Sequence, residues 1–368
     1  MNLSRLTLRA FRNVSSMEIS FAPGCNVVHG SNAQGKTNLL EAIYLLGTLK
    51  SFRMARNAEL IQWGSDQGFV RGEVENGGGN REIALLVEPA GKTVKVDGKA
   101  VTRMAEFAGC LTAVVFFPEE IAMVRGMPEV RRRYLDRAIF TADGTYLSLY
   151  HDFHKILRSR NLLLRNRDLA SLEAWSVELS QAGARLQQRR IRYVAELAPL
   201  FSHYYRVIAG NAEDAALAYR PHRLTAEALL RDGQRAFQAA LEAAADDELE
   251  RRVTLVGPHR DDLEFRLGGR PVRHSASQGQ QRSLVLALKM AEIEYLQRET
   301  GTPPLLLLDD MTSELDRERN ANLMAFLQNR AMQVFITTTR PDTLPAAILQ
   351  AGRVFRIEEG TISCEREA

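Results

Sequence analysis

A glycine-rich run near the amino terminus, Gly30-Ser31-Asn32-Ala33-Gln34-Gly35-Lys36-Thr37, constrains this chain more than any other feature. It reads G-x-x-x-x-G-K-[ST], the pattern of a loop whose backbone N–H groups cradle phosphates. Its two glycines permit a backbone that turns those groups inward. The apolar Asn26-Val27-Val28-His29 before it suits a buried strand, and Asn38-Leu39-Leu40-Glu41-Ala42-Ile43-Tyr44-Leu45-Leu46 after it has helical apolar spacing. Strand, loop and helix in that order call for an α/β nucleotide-binding lobe. Lys36 would reach the β- and γ-phosphates, and the Thr37 hydroxyl would ligate Mg²⁺. The expected nucleotide-binding set is Gly30, Ser31, Asn32, Ala33, Gln34, Gly35, Lys36, Thr37 and Asn38.

With 368 residues, the chain can bury one large core or two smaller ones. Its net charge of only +3 excludes a histone-like basic binder, so any nucleic-acid site must be a local patch. Cys25, Cys110 and Cys364 are far apart and lack metal-ligand spacing, which argues against a disulfide framework or a zinc site. They fit a reducing compartment. The start, Met1-Asn2-Leu3-Ser4-Arg5-Leu6, has no apolar core of a signal peptide, and the longest aliphatic run, Leu305-Leu306-Leu307-Leu308, is too short to cross a bilayer. The expectation is a soluble cytoplasmic protein with no membrane partner.

Alternating patterns predict strands over Leu3 to Phe21, an antiparallel meander over Gly68 to Val101, and a strand at Ala113 to Phe117 halted by Pro118. From about Pro128 to Glu250, few turn residues and three-to-four apolar spacing predict an inserted helical lobe. Strand character returns at Val253 to Val256, Leu263 to Leu267, Leu305 to Leu308 and Val334 to Thr337, with a last hairpin from Val354 to Ser363. The predicted domains are 1–127 with 251–368 for the α/β lobe, its 251–300 stretch carrying a helix-opening Ser/Gly element, and 128–250 for the helical lobe.

Asp309-Asp310 closes the aliphatic strand in the form of a Walker B element. A buried strand ending in a carboxylate puts that group at the sheet edge where the phosphate loop lies. Asp309 would hold Mg²⁺, and Asp310 would orient or deprotonate an attacking water. Ser277-Gln278-Gly279-Gln280 opens a helix one element earlier, with the free N–H groups and dipole of an anion-binding end.

This order resembles the ABC-type ATPases: phosphate loop, a signature at Ser277, Gln278, Gly279 and Gln280, Walker B, then Ser313-Glu314-Leu315-Asp316 as a D-loop. Thr337-Thr338-Thr339 stands where a switch histidine is common, so a threonine hydroxyl would have to meet the γ-phosphate. The blocks Phe11-Arg12-Asn13, Ser51-Phe52-Arg53, Phe117-Pro118-Glu119-Glu120, Arg131-Arg132-Arg133-Tyr134-Leu135-Asp136, Arg160-Asn161 and Gly257-Pro258-His259-Arg260-Asp261-Asp262 resemble the RecF family in collinear order. The resemblance implies an ABC-type ATPase head related to SMC proteins, with ATP and Mg²⁺ as cofactors. Such heads dimerise on ATP, so the signature would act in trans. It further implies binding to DNA at gaps or single-strand/double-strand junctions, RecR as a partner, and help in loading recombinase during repair.

Lys155, Arg158, Arg160, Arg165 and Arg167 in the helical lobe, and Lys50, Arg53 and Arg56 after the phosphate-loop helix, are the candidate DNA contacts. Arg131-Arg132-Arg133 is expected to pair internally. An ABC transporter's ATPase subunit would usually carry a glycine-rich signature and a switch histidine, which are absent here. An SMC-like structural head would need long heptad arms. A small-molecule kinase leaves Ser277 to Gln280 unexplained. Because Asp310 is one methylene shorter than the common glutamate, slow hydrolysis is expected.

Overall fold

The computed structural model describes residues 1–77, 79–210, 213–273, 275–310, 317–328 and 330–366. The chain divides into two compact units: Met1–Ile121 with Val207–Ala209 and Val285–Ala368, and Ala122–Arg206 with Gly210–Leu284.

The first unit contains two six-stranded sheets. In one, Asn2–Phe11 pairs antiparallel with Val14–Ser20 and with Gly68–Asn76, and Gly79–Glu88, Gly91–Val96 and Lys99–Ala100 extend the meander. In the other, the phosphate-loop strand Cys25–His29 lies between Val334–Thr338 and Arg353–Glu358. Leu305–Asp309 and Ala113–Phe116 continue this sheet on one side, and Thr361–Arg366 closes it on the other. All of its neighbours run parallel except that last hairpin partner. Parallel strands buried on both faces read as continuous apolar runs, which is why Leu305–Leu308 shows no alternation.

The helix Lys36–Thr48 packs against strands of both sheets, and its residues from Leu39 to Thr48 are all buried. A helix enclosed all round has no polar face to spare. Glu41, fully buried there, is therefore paired: Arg12 donates to its two oxygens at 2.8 and 2.9 Å, and Ser51 donates as well. This bidentate bond ties the turn between the first two strands to the phosphate-loop helix.

The second unit departs from an all-helical lobe. Its helices Pro128–Ala142, Tyr146–Asn166, Leu172–Ala209, Ala226–Ala243 and Ala245–Arg251 were legible, although the last residues of Leu172–Ala209 belong to the first unit. The strand Ala215–Arg220 was not: it pairs antiparallel with Asp262–Leu267 in a three-stranded sheet. Residues 251–284 accordingly group with this unit rather than with the α/β lobe, and the expected limits at 128 and 250 give way to 122 and 284. Val253 to Val256 forms no strand. Its carbonyls and N–H groups serve side chains instead: Thr254 N–H donates to Asn161, Leu255 N–H to Glu248, and the Thr254 carbonyl faces His259.

Asp261 and Asp262 anchor this unit. Arg131 donates to both oxygens of Asp262 at 2.7 and 2.8 Å, and Arg132 donates to the Asp261 carbonyl, so the arginine tract does pair internally. Asp261 is buried and accepts from Tyr219, Gln187 and the His222 N–H. Burial pushes its carboxyl above the ordinary range, and those three donors hold it back.

Arg160 corrects the DNA-contact expectation. On the helix Tyr146–Asn166 it follows the phase of the buried Phe153, Leu157 and Leu164, and it is itself buried. Its guanidinium meets Glu248 at 2.7 Å, Ser176 at 3.0 Å and Thr254 at 2.9 Å. It therefore faces protein, not phosphate. Lys155, Arg158 and Arg165 lie on the opposite, exposed face with the exposed Leu162, and Arg167 is the exposed residue ending the helix. Replacing Arg160 with methionine strands the buried Glu248 carboxylate, so the unfolding free energy should fall by about 3–5 kcal/mol. Chemical denaturation checks this, and an unchanged midpoint would refute the assignment.

Candidate functional site

The carboxyl ends of Cys25–His29, Val334–Thr338 and Leu305–Asp309 align at one sheet edge, with His29 opposite Thr338 and Asp309 opposite Thr337. In parallel α/β sheets this is the edge where ligands bind. The loop of residues 30–35 leaves it directly and delivers the chain to the helix starting at Lys36.

Two glycines of the loop have different reasons. Gly35 adopts φ +115°, a conformation that L side chains rarely take. Gly30 gives close approach: a Cβ there would lie 2.3 Å from the Ile357 carbonyl oxygen. That contact belongs to a buttress under the loop, formed by the carboxyl-terminal hairpin. Gln34 accepts from the Glu359 N–H through its side chain and from the Gly360 N–H through its carbonyl, the latter at 3.0 Å. Asn13 donates to the same carbonyl at 3.1 Å and accepts from Asn38 at 2.8 Å, and His29 meets Glu365 at 2.7 Å. The alternation of Val354 to Ser363 revealed the hairpin but not its position beside the phosphate loop, because strand order is set by long-range pairing.

Lys36 is buried, and its ammonium donates to the Gly30 and Ser31 carbonyls at 2.8 and 3.0 Å, with the Asp310 carboxylate 4.0 Å away. The Thr37 hydroxyl donates to Asp309 at 3.0 Å, and the Thr337 hydroxyl donates to the same oxygen at 2.7 Å. The Asp310 N–H in turn donates to Thr337 at 3.0 Å, in a residue held at φ +50°. Asp309 is buried, and desolvation raises its carboxyl pKa while Thr337 and Thr37 oppose the shift. The expected groups thus converge: Lys36, Thr37, Asp309 and Asp310 are one constellation.

Thr337 differs from expectation. Its hydroxyl is engaged by Asp309 and Asp310, so it organises the acidic pair instead of projecting toward a phosphate. The Thr338 hydroxyl accepts from the Arg340 N–H, while Thr339 is exposed. Ser313-Glu314-Leu315-Asp316, the expected D-loop, lies outside the described residues.

A cavity of about 850 Å³ opens here, and Gly35, Lys36, Thr37, Asn38 and Asp310 line it with Arg12, Asn13 and Arg53. Arg53 is exposed, lines this cavity and donates to Asn38 at 3.2 Å. Lys50 and Arg56 are exposed beyond the helix end. The oxygen donors Thr37 and Asp309 suit a hard cation such as Mg²⁺, which takes few protein ligands and keeps waters or phosphate oxygens. Among the described residues no cluster of three His, Cys, Asp or Glu side chains forms a richer metal site.

Ser277, Gln278, Gly279 and Gln280 lie in the second unit. Ser277 and Gln280 form a reciprocal cap: the Gln280 N–H donates to the Ser277 hydroxyl at 3.2 Å, and the Ser277 N–H donates to the Gln280 side chain at 2.8 Å. The Gln280 amide also donates to Glu213 at 3.0 Å. Ser277 and Gln278 are exposed at the start of the helix Gln278–Thr300.

A phosphate loop, a buried acidic strand end in a parallel sheet, and a flanking antiparallel meander define a P-loop ATPase head of the kind shared by ABC-type and SMC proteins. The family model "RecF/RecN/SMC N terminal domain" matches residues 2–363. The DNA replication and repair protein RecF of Geobacter sulfurreducens is 52% identical over 99% of this chain and 100% of its own length. The chain belongs to the RecF family. A solved structure of the recombination mediator protein RecF with ATP superposes with a TM-score of 0.90, at 31% identity, covering 99% of this chain and 97% of that one. An Smc head at 16% identity and TM-score 0.57 shares the fold, over 99% of this chain and 97% of its own.

Thr337→Val keeps shape but removes both the donor to Asp309 and the acceptor for the Asp310 N–H. Leaving such buried groups unpaired should cost about 1–3 kcal/mol of stability, with Thr337→Ser close to the parent. Paired thermal melts of the two variants decide this.

Proposed function

We propose that this chain is an ATP-gated DNA clamp of recombinational repair and replication, acting in the cytoplasm. The observation carrying this reading is the convergence of Lys36, Thr37 and Asp310 on one cavity, with the buried Asp309 bonded to Thr37 behind them, in a chain 52% identical along its length to a protein named for DNA replication and repair. ATP would lie along the phosphate loop, with Lys36 and the N–H groups at the start of the helix neutralising its phosphates. Mg²⁺ bound at Thr37 and Asp309 would supply further charge neutralisation. Asp310 would orient the attacking water.

The nucleotide would be completed by a second copy of the chain, through Ser277, Gln278, Gly279 and Gln280 of that copy. Exposure of Ser277 and Gln278 at the start of the helix Gln278–Thr300 suits an anion supplied from outside the protomer. Closure around gapped or junction DNA would then require ATP. Lys155, Arg158, Arg165 and Arg167, with Lys50 and Arg56, would contact phosphates without reading sequence. RecR would join at the junction, and the complex would help load recombinase.

Lys36→Met should abolish ATP binding and ATP-driven dimerisation together. Size-exclusion chromatography with ATP or ADP, with and without gapped DNA, reads both; a dimer of the variant with ATP would reject the gating role.

Hydrolysis should be slow, below about 1 s⁻¹, at the bottom of the ordinary enzyme range. The short Asp310 side chain is the physical cause, so Asp310→Glu should raise turnover several-fold. Steady-state phosphate release with gapped DNA measures this, and a parent rate typical of a fast motor would sink the clamp reading.

A further inference from the structure

Beside the phosphate-binding groups, the cavity has a second kind of lining: Glu59, Ile61, Gln62 and Trp63. Trp63 is 100% exposed, although an indole is among the costliest side chains to leave in water. Its exposure does not come from a loose segment. Ile61 bridges to Phe11, the Gln62 N–H donates to the Ala10 carbonyl at 2.9 Å, and the Arg12 N–H donates to the Leu60 carbonyl at 2.9 Å. The Ser65 N–H donates back to the Gln62 carbonyl at 3.0 Å, so the turn carrying Trp63 is closed on itself. The strand that holds this turn runs straight into Arg12 and Asn13, which line the same cavity. The backbone thus presents a bare aromatic face at the rim of the phosphate site.

We propose that Trp63 is the platform on which the base of the bound nucleotide stacks. The inference rests on the reading of this cavity as the nucleotide site. The triphosphate occupies the loop; the base is a flat, apolar-faced ring that needs a surface of its own kind. Trp63 supplies it, with Ile61 beside it. A π-face grips any base without reading its hydrogen-bonding edge, so the stack adds affinity and leaves ATP and GTP undistinguished.

Trp63→Ala should weaken ATP and GTP binding by the same factor, about 5- to 150-fold, equivalent to the roughly 1–3 kcal/mol of one base–aromatic stack. Inorganic tripolyphosphate, which has no base, should bind the variant as it binds the parent, and Trp63→Phe should recover most of the loss. In a Trp175→Phe background Trp63 is the sole tryptophan, and its fluorescence should be quenched by ATP but not by tripolyphosphate. Calorimetry and fluorescence at dilute protein provide these readings. Unchanged ATP affinity in Trp63→Ala overturns the proposal while the nucleotide reading stands; if that variant also loses only its ATP-dependent dimer, the indole belongs to a contact with a second copy. Failure of the parent to bind either ATP or tripolyphosphate overturns both.

Discussion

One buried carboxylate joins the parts of this site. Asp309 accepts from Thr37 at the start of the phosphate-loop helix and from Thr337 on the neighbouring strand, and Thr337 in turn holds the Asp310 backbone. A carboxylate taken out of water needs such donors, because desolvation disfavours its charged form. Those donors come from segments remote in sequence. The loop, the acidic strand end and the strand after it are therefore fixed relative to one another wherever Asp309 is satisfied.

The loop is supported from behind as well as in front. Arg12 clamps the buried Glu41 in the helix, Asn13 holds Gln34 and Asn38, and the carboxyl-terminal hairpin adds its backbone N–H groups to Gln34. The chain's two ends thus meet at the phosphate loop. Preorganisation of this kind lowers the ordering cost of binding an anion. It also explains why Gly30, in a loop already rich in small residues, admits no side chain on the hairpin side.

Much of the site was legible because its elements are local. The phosphate loop carries its own spacing, the Leu305 to Leu308 run declares a strand buried on both faces, and Ser277 with Gln280 writes a helix cap within four residues. Arg160 was misplaced because charge was weighed before helical phase; its spacing with Phe153, Leu157 and Leu164 was present in the sequence and pointed inward. The strand Ala215–Arg220 was missed for a different reason. Its partner Asp262–Leu267 lies more than forty residues away, and a short run amid helical composition has no local signal for that pairing.

By itself the sequence determined the phosphate loop, the acidic pair at a strand end and the alternation of sheet and helical regions, since each depends on spacing between near neighbours. Tertiary structure alone decided that Thr337 serves Asp309, that Arg53 lines the phosphate cavity, that the last hairpin backs the loop, and that Trp63 stands bare at its rim. The reason is physical: which strand lies beside which, and what each side chain meets there, is settled by burial and hydrogen-bond satisfaction across hundreds of residues, and no short window of sequence contains both partners.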